Sequence, residues 1–90
     1  MNKRELTDAV ASNAGLGKAE AARAVDAVLG AISDALGQGD SVSLVGFGTF
    51  SVKHRAARQG RNPRTGETIQ IAATSVPGFK AGRALRDSVN

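Results

Sequence analysis

GFGTFSVKHRAARQGRNPRTGE, running from Gly46 to Glu67, decides how this chain folds. Phe50 and Val52 alternate with Thr49 and Ser51, the period of two that marks a half-buried strand. From Lys53 onward no large apolar residue occurs until Ile69 and Ile71. Between them lies turn chemistry, at Asn62-Pro63 and at Gly66. The stretch predicts an outgoing strand over about 49–59 and a return strand over about 67–76. Together they make one long hairpin whose inner part packs on a core. Its outer part, an arm over about 53–75, has nothing to pack on. A two-stranded ribbon alone is marginal in water, so the tip is expected to be mobile until a partner orders it.

Working outward, Gly46 and Gly48 flank Phe47 and predict a tight turn into the hairpin from a preceding strand, where Val42 and Leu44 alternate with Ser41 and Ser43. Upstream the period is helical. Asn2 followed by Glu5 has the spacing of an N-cap and its capping-box partner, and Leu6, Ala9 and Val10 recur on one face. Asn13 to Gly17 breaks this helix. A second is predicted from Lys18 to Leu36, with Ala21, Val25, Val28, Leu29, Ile32 and Leu36 on one stripe, before Gly37 and Gly39 end it. Downstream, Pro77-Gly78 is expected to end the sheet. A short helix over about 81–89 should then turn Ala81, Leu85 and Val89 inward and leave Arg83 and Arg86 outside. The fold class is α+β, in a single domain over 1–90. A helical hairpin spans 1–39, a three-stranded antiparallel sheet with its protruding arm 40–77, and a C-terminal helix 78–90.

Composition narrows the function. The chain has 90 residues and no cysteine, so no disulfide framework and no thiolate chemistry. It lacks a long apolar span and an apolar leader segment, which leads us to expect a soluble, cytoplasmic protein without membrane partners. His54 is the only histidine, too few ligands for a zinc site and no companion for a catalytic triad. The G-x-G of Gly46 and Gly48 is followed by Ser51 where a dinucleotide fingerprint needs its third glycine. Neither an enzyme, a metal nor a cofactor is expected. Charge is distributed unevenly: residues 1–52 sum to −2 and residues 53–90 to +6. Lys53, Arg55, Arg58, Arg61 and Arg64 fall within twelve residues that hold no carboxylate. Such asymmetry points to a polyanionic partner.

The Gly46–Glu67 stretch, with Gly46, Phe47, Phe50, Arg55, Arg58, Gly60, Asn62, Pro63 and Thr65 in register, resembles the signature of the bacterial HU and integration-host-factor family of DNA-bending proteins. The resemblance extends from MNKREL at the start to VPGFKAGRALRDSVN at the end. It implies an intertwined dimer with a helical base and a saddle of sheet. Two arms would wrap DNA through the minor groove, each with Pro63 wedged between base pairs. Two positions depart from the family pattern. Gly17 stands where Ser or Thr often caps the second helix, and no lysine occurs near Thr74-Ser75 before the Val-Pro step.

On this basis Lys53, Arg55, Arg58, Arg61, Asn62, Pro63 and Arg64 are expected to carry the arm contacts to DNA. Lys3, Lys18, Lys80, Arg83 and Arg86 are expected to hold phosphates along the saddle and flanks. Phe47, Phe50 and Phe79 are expected to form the dimer core. The partners expected are double-stranded DNA, favoured when bent, nicked or kinked, and a second copy of the chain, in the nucleoid. One alternative is a site-preferring heterodimer subunit like those of integration host factor, although the chain ends at Asn90 without the extra residues such subunits often carry. The other is a general basic protein for RNA or polyanions. It is disfavoured because the arm has no aromatic residue on which a single-stranded base could stack.

Overall fold

The computed structural model describes residues 1–90. The elements run α1 (Lys3–Ala14), α2 (Lys18–Gly37), β1 (Val42–Leu44), β2 (Gly48–Arg55), β3 (Arg58–Arg61), β4 (Thr68–Ile71), β5 (Thr74–Ala81) and α3 (Arg83–Ser88). They form two compact units, Met1–Ala35 and Leu36–Asn90.

In the helical unit, Asn2 opens α1 as its spacing predicts. Its Oδ1 accepts the Glu5 N–H at 2.9 Å, satisfying one of the donors a helix start leaves unpaired. Gly15 closes the helix and donates its N–H to the Ala11 carbonyl. At the start of α2, the Gly17 carbonyl accepts the Ala21 N–H at 2.9 Å, so glycine suffices at that boundary. The apolar stripe of α2 is only partly covered. Ala21 and Val25 are the only buried apolar residues of the chain, while Val28 and Leu29 are 57% and 45% exposed. With Leu6, Val10 and Ala24 they line an open apolar groove between α1 and α2.

In the second unit, β1, β2 and β5 form an antiparallel sheet in the order β1-β2-β5, and β3 pairs with β4 as a separate two-stranded ribbon. The turn between β1 and β2 is tight, as expected. The Phe47 N–H donates to the Leu44 carbonyl at 3.0 Å, and Gly46 takes φ +81°, the sign that the third position of a type II turn requires. This turn also holds α3. The Phe47 carbonyl accepts the Gly82 N–H at 2.7 Å and the Gly46 carbonyl accepts the Leu85 N–H at 3.2 Å, so the Gly46 carbonyl takes the donor that a capping side chain at Gly82 would have accepted.

Three sequence expectations are corrected here. Pro77-Gly78 does not end the sheet: β5 continues to Ala81, with Pro77 opposite Val52 and Gly78 opposite Ser51. β5 has a neighbour on one side only, and a proline whose nitrogen faces outward removes no ladder bond. Ala81 therefore lies in the strand and not in α3, and Val89, past the last turn of that helix, is 76% exposed and not packed inward. Finally, the two long strands of the hairpin are each interrupted, at Ala56–Ala57 and at Ala72–Ala73. The interruptions face each other, since Arg55 pairs with Thr74 and Arg58 with Ile71 in one continuous register. Alanine has low strand propensity, and its methyl group packs little against a cross-strand neighbour.

Candidate nucleic-acid interface

Alternation along β2 and β5 sorts the sheet into two chemically distinct faces. Directly opposed residues share a face, as do residues two apart. Phe50 and Phe79 are opposed, with Val52 and Pro77 beside them. Their rings lie 4.7 Å apart at 45°, and Phe47 adds a second tilted contact to Phe79 at 5.6 Å. The three phenylalanines thus cluster within one chain. Gly48 is fixed by its surroundings, because a Cβ there would collide with the Phe79 ring and stand 2.6 Å from the Lys80 carbonyl. The other face carries Thr49, Ser51, Lys53 and Arg55 from β2, and Thr74, Val76 and Lys80 from β5. Lys53, Arg55 and Lys80 are therefore brought onto one face, opposite the aromatic one.

Beyond the alanine interruptions, Arg58 and Arg61 sit on β3 and lead into the tip. The tip is built by Asn62. Its N–H donates to the Glu67 carbonyl, its carbonyl accepts the Gly66 N–H, both at 2.8 Å, and its Oδ1 accepts the Arg64 N–H at 2.9 Å. The last bond is an Asx turn, the local bond through which Asn favours turns. It arches the chain over Pro63, whose side chain is exposed with Arg64 next to it. Arg83 and Arg86 are exposed on α3.

In the helical unit, Lys3 and Lys18 line one open depression with Arg4 and Asp26. Lys3 is the one cation held in an ion pair, its Nζ 2.6 Å from Asp26 Oδ1, with both side chains well exposed. The remaining lysines and arginines have no carboxylate within 4.0 Å and keep their donors free. His54 binds across the ladder, its Nδ1 2.8 Å from Ser75 Oγ. No cluster of acidic, histidine or cysteine side chains is placed to hold a metal ion, and no helix is long and apolar enough to cross a membrane.

Sequence reasoning missed one feature of the arm: Gln59 and Gln70 face each other across it. Counting strand partners outward from the Asn62–Glu67 closure would have found the pair.

The whole chain, residues 1–90, matches the family described as "Bacterial DNA-binding protein". It is 63% identical to DNA-binding protein HU-beta of Pseudomonas aeruginosa and 57% identical to that of Escherichia coli, in each case over all of both chains. Among solved structures, that of Anabaena HU crystallised with DNA superposes with a TM-score of 0.86 at 49% identity, covering 99% of this chain and 97% of that one. HU from Thermotoga maritima superposes with a TM-score of 0.72 at 36% identity over the full length of both. A whole-chain family match, relatives at this identity and the shared sheet-and-arm architecture agree: the chain belongs to the bacterial DNA-binding protein family and, within it, to the HU group.

Proposed function

We propose that residues 1–90 act as one HU-like DNA-binding domain, and that a homodimer of this chain bends and compacts double-stranded DNA through the minor groove without strong sequence preference. The observation that carries this proposal is the arm. Lys53, Arg55, Arg58, Arg61 and Arg64 are exposed along it without carboxylate partners, and it ends in an exposed proline. Arginine is weakly hydrated and always charged, so it enters a narrow groove of negative potential at low desolvation cost. A proline at an exposed tip presents a rigid apolar face, and its missing N–H leaves no bond unmade. Insertion of apolar wedges between base steps is an established mode of minor-groove architectural proteins, HU and integration host factor among them.

Lys3, Lys18, Lys80, Arg83 and Arg86 add phosphate contacts besides those of the arm, and Asn62 both shapes the tip and offers its free amide hydrogens to the groove. Dimerisation is supported by how little one chain buries. Phe47 and Phe79 remain 47% and 44% exposed, as do Leu6, Val28 and Leu29 to a similar degree. A folded chain with this much uncovered apolar surface is completed by a second copy. The protein then works in the cytoplasm, on the nucleoid, and favours DNA whose bending cost is already met by a nick or kink.

Competition binding with linear, nicked and single-stranded nucleic acid tests the proposal. The expected order is nicked duplex first, then linear duplex, then single strands. Equal binding of single strands, or of RNA, would replace DNA bending with general polyanion binding.

A further inference from the structure

The arm's register places Gln59 on β3 directly across from Gln70 on β4. Arg61 and its partner Thr68 lie on the same face, while Arg58, Gly60, Ile69 and Ile71 occupy the other. That second face is partly closed on itself. A Cβ on Gly60 would stand 2.9 Å from Ile71 Cδ1, so the isoleucine lies over the glycine, which is half-buried even on a two-stranded ribbon. The glutamine face is open, and all four of its residues are exposed. Side-chain hydrogen bonds in and beside the arm engage His54, Asn62 and Thr65, but neither glutamine.

Two neutral amides add nothing to phosphate attraction, so any contribution they make to DNA binding is through directed hydrogen bonds. Each supplies two N–H donors and one acceptor, and Arg61 supplies donors only. In the minor groove an A·T pair presents acceptors alone, whereas a G·C pair adds the guanine 2-amino donor. A donor-rich face therefore matches A·T edges. Over G·C it meets a like donor, and an amide that turns its oxygen toward that amino group withdraws its own donors from the adjacent acceptors. Donors left unpaired in a closed groove are expensive.

We propose that Gln59 and Gln70 form a base-edge reader that biases placement of the arm toward A·T pairs. The inference rests on the DNA-binding function proposed above and makes the protein sequence-tolerant but not sequence-blind.

The test uses the full chain and three short nicked duplexes that differ only in the pairs flanking the nick: A·T, G·C or inosine·C. Inosine lacks the 2-amino group, so inosine·C carries the minor-groove pattern of A·T on the major-groove pattern of G·C. The unmodified protein should bind the A·T and inosine·C duplexes about fivefold more tightly than the G·C duplex, the factor that one net hydrogen bond supplies. Gln59→Ala with Gln70→Ala, and separately Gln59→Met with Gln70→Met, should bring that ratio close to one, through weaker A·T and inosine·C binding and relief of the unpaired donors over G·C. The methionine variant keeps side-chain length while removing the amides. Equal binding of all three duplexes by the unmodified protein would overturn the inference, as would a ratio that survives both double variants, or inosine·C behaving like G·C. Absence of binding to every duplex would overturn the DNA-binding proposal itself, a separate and recognisable result.

Discussion

Phe50 and Phe79 face each other across the β2–β5 ladder with ring centroids 4.7 Å apart, yet Phe79 remains 44% exposed. These half-covered aromatic rings leave apolar surface that a second copy would cover in the proposed homodimer. Unfolding should therefore depend on protein concentration, with the midpoint rising as the protein is concentrated. Phe47→Ala should destabilise the protein by about 3–5 kcal/mol, the loss of a fully buried ring, rather than the smaller loss due to a ring half in water. Thermal denaturation across a concentration series, with sedimentation alongside, checks both. A stable folded monomer at micromolar concentration would refute the dimer.

The β1–β2 turn offers a second test. Gly46 holds φ +81°, and its carbonyl accepts the Leu85 N–H of α3. Gly46→Ala should cost about 1–2 kcal/mol from the left-handed backbone alone. Val45, the neighbouring residue, is fully exposed, so Val45→Ala should be close to neutral. Urea titration of the two variants distinguishes a conformational requirement at Gly46 from general sensitivity of the loop.

Salt dependence separates charge from packing. Phosphate neutralisation predicts a linear fall of log affinity with log salt, with a slope of about −0.9 per phosphate contacted. Arg83→Ala should reduce that slope by about one contact per subunit. If affinity falls while the slope stays the same, Arg83 supports the fold and does not touch phosphate.

At the tip, Pro63 and its flanking arginines should have separable effects. In the proposed function the arginines supply attraction, so Arg61→Ala with Arg64→Ala should weaken binding to every duplex. Smooth bending of a short site costs on the order of 1–6 kcal/mol, which an inserted wedge helps to offset. Pro63→Ala should therefore keep much of its affinity for linear duplex, bend it less, and differ least on nicked DNA. Energy transfer between the ends of a labelled duplex at saturating protein measures the bend. Unchanged transfer would reduce Pro63 to a turn former.

The amino-acid sequence alone determined the local elements and the chemistry they carry. The Asn2 cap, the glycine turn at Gly46, the period of two at Phe50 and Val52, and the carboxylate-free run from Lys53 to Arg64 are all set by near neighbours in the chain. Their physical causes, a hydrogen bond three residues away, a φ of one sign and the alternation of a pleat, act over a few residues. Tertiary structure decided the rest, because the deciding neighbour is remote in sequence. Proline ends a central strand but not an edge strand, and only the sheet order reveals that β5 is an edge, so β5 passes Pro77 and reaches Ala81. Opposed alanines interrupt the hairpin because methyl facing methyl packs little across the ladder, which neither strand discloses by itself. The pairing of Gln59 with Gln70 follows the register closed at Asn62 and Glu67. Val89 has an apolar side chain, but the last turn of α3 ends before it and leaves it in water.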